Sequence, residues 1–98
     1  METKGQIDVY KEALTAIVQR FMKLMGDPAL RLARKVYGLI VTDDGTVERY
    51  QGDGWVVLQG LIIEYMTLLG PEVVNMSQRA LKPTLERNPE TKLPALLG

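Results

Sequence analysis

Four glutamates, Glu12, Glu48, Glu64 and Glu72, and the adjacent pair Asp43-Asp44 are the groups with which this chain could do acid–base or cation chemistry. No glutamate has a partner at a spacing that defines a reaction. Two neighbouring aspartates lack the alternating oxygen ligands of a calcium loop. Glu64 stands out because it falls in the most apolar stretch of the chain. Burial there would raise its pKa by desolvation, and perturbed groups collect at functional sites. On the one polar stripe of its helix it is instead a solvated carboxylate, and that reading is favoured. The chain has no histidine and no cysteine. The commonest general base, the usual zinc and haem ligands and the thiolate nucleophile are therefore missing. So is a disulfide framework. No catalytic residue, metal site or cofactor is assigned, and the balance is against an enzyme.

Cations offer a second chemistry. Arg31, Arg34 and Lys35 give a short helix a basic face, close in sequence to Arg20 and Lys23. Helix, glycine turn and short basic helix is the pattern of a helix-turn-helix DNA reader. Pro28 and Leu30, however, occupy the start of the helix, where base contacts usually sit. The second such unit carries Glu72, Asn75, Gln78 and Arg79 instead. Twelve basic residues are cancelled by twelve acidic ones, which leaves no electrostatic footprint for nucleic acid. A DNA-binding regulator using Arg31, Arg34 and Lys35 is kept as an alternative, and nucleic acid is not the expected partner.

The third chemistry is apolar. Met22, Met25, Met66 and Met76, with Phe21, Tyr65 and Trp55, make a soft and polarisable interior. Core filling is the favoured reading. The alternative is a pocket for a small apolar ligand between helices, lined by Phe21, Met25, Tyr65 and Met66.

The elements that must position these residues come from a near-repeat. Residues 14–26 lie over residues 58–70 at an offset of 44, without a gap. Leu14/Leu58, Met22/Met66, Leu24/Leu68 and Gly26/Gly70 are identical, and Phe21/Tyr65 is matched in kind. Each glycine is followed by a proline and a second apolar-periodic stretch. Two helix–turn–helix units in tandem follow, although two copies are too few for a solenoid.

Ile7, Tyr10, Leu14, Ile17, Phe21 and Leu24 step at helical spacing, with Val18 and Met25 widening the stripe. Gly26 ends this helix, and Asp27 caps a short one with Pro28 at its first position and Leu32 and Val36 on one face. β-branched residues on both sides of Asp43-Asp44-Gly45 predict a hairpin with strands near 39–42 and 46–50. Asp53 caps a third helix, Gly54 to Leu69. Its apolar residues nearly circle the axis, and Gln59, Gly60, Glu64 and Thr67 leave only a narrow polar stripe. A helix of that kind must be covered on every side. It is either central to the fold or half turned towards a second copy, with Trp55, Ile62, Ile63 and Met66 as the self-association residues. Gly60, paired with the small Ala16 in the repeat, marks a close helix approach. Its neighbour Glu64 is the counterpart of Arg20, with which it could pair. A fourth helix runs from Glu72 to about Leu81, where Pro83 limits it. A polar linker then leads to an apolar end with Leu93, Leu96 and Leu97 as docking anchors, for a groove elsewhere or for the chain's own helices.

The expectation is thus a mainly α fold: two tandem helical hairpins, about 7–37 and 53–82, joined by a β-hairpin at about 39–50. They form one domain over 1–87, with a tail at 88–98. Apolar and charged fractions of 46% and 24% suit a soluble globular protein. The polar start of the chain and the shortness of its apolar windows point to the cytoplasm and away from the membrane. The expected function is a non-catalytic interaction or regulatory module, a homodimer with room for a further protein partner.

Overall fold

Asp8 starts the first helix: its carboxylate accepts the N–H groups of Tyr10 and Lys11 at 3.1 and 3.2 Å, donors that have no partner within the helix. Helix α1 (Val9–Met25) buries Ala13, Leu14, Ile17, Val18 and Phe21. The computed structural model describes residues 8–97, so Ile7 of the expected stripe lies outside the described residues. Leu24, placed on that stripe by its spacing, is 59% exposed, because the stripe runs out to solvent in the last turn. Its repeat counterpart Leu68 is 58% exposed for the same reason.

After α1 come α2 (Asp27–Ala33), strands β1 (Ile40–Val41) and β2 (Val47–Arg49), α3 (Gly54–Leu69) and α4 (Glu72–Arg87). The fold is mainly helical, with one antiparallel hairpin between the helical pairs. The two glycine turns match atom for atom. Gly26 and Gly70 take φ of 75° and 87°, a region open to glycine and strained for other residues. Their N–H groups donate to Met22 O at 2.8 Å and Met66 O at 2.7 Å. Their carbonyls accept from Ala29 and Val73 at 3.0 and 3.2 Å. Every one of these pairs is separated by the repeat offset. Gly26 itself takes the cap position of α2, so Asp27 is the first helical residue and not the cap.

Packing is reciprocal. The first helix rests on α4 and α3 rests on α2, while α1 and α3 meet each other. At that meeting the counterparts Phe21 and Tyr65 stack, with centroids 4.4 Å apart and planes at 24°. Equivalent residues touching each other is the mark of an approximate two-fold axis, which passes through this ring pair. The Tyr65 hydroxyl donates to Ala29 O at 2.8 Å in the buried interior. Phe21 has no hydroxyl with which to repeat that bond at Val73.

The second helix is shorter than its periodicity predicts. It buries Ala29, Leu30 and Ala33, and Leu32 and Val36 are only half-buried. Both strands are also shorter than expected, with Ile40 opposite Arg49 and Val41 opposite Val47 across an irregular register. The turn is held from within: Asp44 accepts from the Thr42 hydroxyl and from the Thr46 N–H. These bonds, the Thr42 hydroxyl first, hold the Asp44 carboxyl below the usual carboxylate range. The hairpin lies on α1. The Val47 N–H donates to Thr15 Oγ1 at 2.9 Å and the Gln19 amide donates to Asp44 O at 3.2 Å.

Pro83 does not stop α4, which runs on to Arg87. Proline removes one N–H, the donor to the carbonyl of residue 79. Both Arg79 and Pro83 are exposed, so water can serve that carbonyl. On the inner face, Leu81 and Thr84 are buried and hold the helix in place. Thr84 Oγ1 donates to Glu12 at 3.1 Å, and Arg87 forms an ion pair with the same carboxylate. Of the two docking places open to the chain end, its own helices are the one occupied: Pro94 and Leu97 are buried, and Leu93 and Leu96 pack against the core.

Candidate functional site

The four residues singled out for self-association separate in space. Ile62 is fully buried in its own chain and cannot meet a second copy. Trp55 and Met66 are half-buried. Ile63 points outward and is 45% exposed. Val56, Gly60, Ile63 and Thr67 follow at helical spacing and form one outer face of α3. Val56 is exposed, as are Leu68 and Leu69 at the end of the helix. Glu64 is half-buried beside this face and is the only charged residue in α3.

Gly60 sits in the middle of that face. A Cβ there would meet only Val36 Cγ1, at 3.7 Å, an ordinary contact. Within one chain, then, the glycine is not required by a close helix approach, contrary to one form of the sequence expectation. Tyr37, next to Val36 in the chain, is almost fully exposed. The repeat shows what such a face looks like when covered. On α1 the hairpin lies over Thr15, Gln19 and Met22. Their counterparts on α3 are Gln59, Ile63 and Met66, where an exposed isoleucine replaces a glutamine.

The other candidates are drawn into structural roles. Arg34 donates to Val41 O at 2.8 Å and to Asp43 at 3.0 Å, tying the end of α2 to the hairpin. That leaves Arg31 and Lys35 exposed and does not assemble a basic trio. Among the described residues the salt bridges are Arg34–Asp43 and Arg87–Glu12, and the Arg20–Glu64 pair is not formed. Glu12 is engaged with α4, while Glu48 and Glu72 are exposed. No cluster of three metal-ligating side chains occurs among the described residues. Phe21 and Tyr65 fill each other's space, so their rings form core and not a pocket wall.

Besides Asp44, three tyrosines have perturbed pKa values. Burial, reinforced by hydrogen bonding to Asp8 at 3.0 and 3.1 Å, pushes Tyr50 up to about 12. Burial also raises Tyr65, and raises Tyr10 despite its bond to the Lys92 carbonyl. Every one of these shifts keeps the phenol protonated, as a hydrogen-bond donor and not a base. Open depressions lie along α4, beside Gln78 and Lys82, and between Lys11, Thr46 and Arg87. In the second, Glu12 is engaged by Arg87 and Thr84, and Thr15 Oγ1 accepts the Val47 N–H.

Sequence reasoning missed the contacts of the chain end. Tyr10, Trp55 and Gln78 receive it, and no periodicity or motif links those three positions. No helix among the described residues is long and apolar enough to cross a membrane. Comparison with protein families, characterised proteins and solved structures finds no match for this chain.

Proposed function

We propose that this protein is a non-catalytic interaction module that pairs with a second copy through the outer face of α3. The observation behind it is the exposed apolar strip of Val56 and Ile63 around Gly60. A face with one charged residue, Glu64, offers little to a basic or acidic partner. It suits a copy of itself, because near a two-fold axis each group meets its own equivalent. Gly60 at the axis would let two backbones approach closely. A stable dimer buries about 800 Å² per partner, more than one helix face supplies, so the exposed Leu68 and Leu69 at the end of α3 would have to join it. The cytoplasm is the compartment proposed with it, since a chain without cysteine works unchanged in a reducing environment.

The lack of cysteine also allows a clean test. Ile63→Cys places a single thiol on the proposed axis. Mild oxidation is expected to convert most of this variant to a disulfide-linked dimer on a non-reducing gel, with Arg79→Cys on the exposed side of α4 staying monomeric. Equal cross-linking of both variants, or of neither, would remove the α3 interface.

A further inference from the structure

The β-hairpin is seated on α1 at its turn, and the turn rests on a methionine sulfur. Gly45 is buried and takes φ of 89°. A Cβ there would lie 2.6 Å from Met22 Sδ and 3.0 Å from Gln19 Cγ, so nothing further fits between the turn and the sulfur. A depression lined by Gln19, Met22, Lys23 and Asp44 opens this side chain to solvent. The chain has five methionines and no cysteine, so thioethers are the soft nucleophiles it offers to an oxidant. The hairpin itself has strands of two and three residues, and a two-stranded hairpin is marginal in water without a packed face. Its seat on α1 therefore decides whether it holds together.

We propose that Met22 is a peroxide-sensitive modification site whose oxidation releases the hairpin from α1. A sulfur lone pair attacks one oxygen of hydrogen peroxide, the O–O bond breaks, an S–O bond forms, and water leaves. Sulfur is oxidised and the peroxide reduced. The product is a polar sulfoxide in place of a flexible apolar side chain, and a reductase reverses it. The new oxygen has no room under Gly45 and needs a hydrogen-bond donor. The Gln19 amide beside it already serves Asp44 O at 3.2 Å. A sulfoxide that takes this donor breaks the bond tying the turn to α1. Val41 and Val47, the buried side chains of the hairpin, then come into solvent. Met66, the repeat counterpart of Met22, carries no hairpin, so its oxidation leaves the turn in place. The switch does not depend on the α3 face.

The test treats the full chain with hydrogen peroxide, maps each methionine by mass spectrometry and follows amide hydrogen exchange over the hairpin. Met22 is expected to become the sulfoxide. Protection of the Gly45 and Val47 amides should then fall by about tenfold or more while α4 keeps its protection. A methionine sulfoxide reductase with dithiothreitol should restore it. Met66→Leu should behave as the wild type, and Met22→Leu should keep its hairpin protection in peroxide. Should Met22→Leu not fold, Met22→Gln puts a polar group of similar length under the turn and is expected to lose hairpin protection without any oxidant. Met22 left unoxidised while Met25, Met66 and Met76 react, or full protection with Met22 oxidised, would overturn the proposal. Equal loss in Met22→Leu, or full protection in Met22→Gln, would do the same.

Discussion

Phe21→Ala is expected to lower the free energy of unfolding by about 3–5 kcal/mol, the usual cost of removing a buried aromatic ring. Phe21 is fully buried and stacked on Tyr65 at the approximate two-fold axis. Its loss opens a cavity between α1 and α3 at the place where the two helical pairs meet. Neighbours cannot easily collapse into it, because the Tyr65 ring is held by its bond to Ala29 O. In a domain of this size each 1 kcal/mol is worth roughly 4–8 °C in melting temperature. The melt followed by circular dichroism should therefore fall by more than about 10 °C. A loss below about 1 kcal/mol would mean that the ring pair is not the centre of the packing.

Pro83→Ala is expected to act in the opposite direction and to stabilise the chain by about 2 kcal/mol. An interior proline costs a helix about 3 kcal/mol relative to alanine, and up to about 1 kcal/mol of that is recovered because proline also restricts the unfolded chain. The site is exposed, so alanine meets no steric obstacle and restores the N–H donor to residue 79. Urea unfolding of the two forms measures the difference. A destabilised variant would show that α4 needs the proline at this position for Thr84 and Arg87 to reach Glu12.

These two residues also show which features of the fold could be read from the chain. The glycine turns were legible because a positive φ followed by proline leaves few alternatives, and the structure repeats that turn in detail. The hairpin was legible from β-branched residues flanking Asp43-Asp44-Gly45. The extent of α4 was not, because local chemistry ends the helix at Pro83 and only tertiary contacts of Leu81, Thr84 and Arg87 carry it onward. The orientation of α3 was hidden for a different reason. In a helix apolar on nearly every side, periodicity cannot decide which of the adjacent Ile62 and Ile63 faces inward. That depends on the helices around it, and they bury Ile62 and leave Ile63 exposed. The cleft for the chain end was invisible because Tyr10, Trp55 and Gln78 are brought together only by the packing of three helices.

Solution mass by light scattering, over a wide concentration range and for the wild type beside Ile63→Lys, tests the proposed pairing most directly. The account predicts twice the chain mass for the wild type. It predicts a monomer with an unchanged circular dichroism spectrum for the variant, since a charge on that face must be desolvated to pair. A wild type that stays monomeric throughout, or a variant that dimerises as readily, would contradict it.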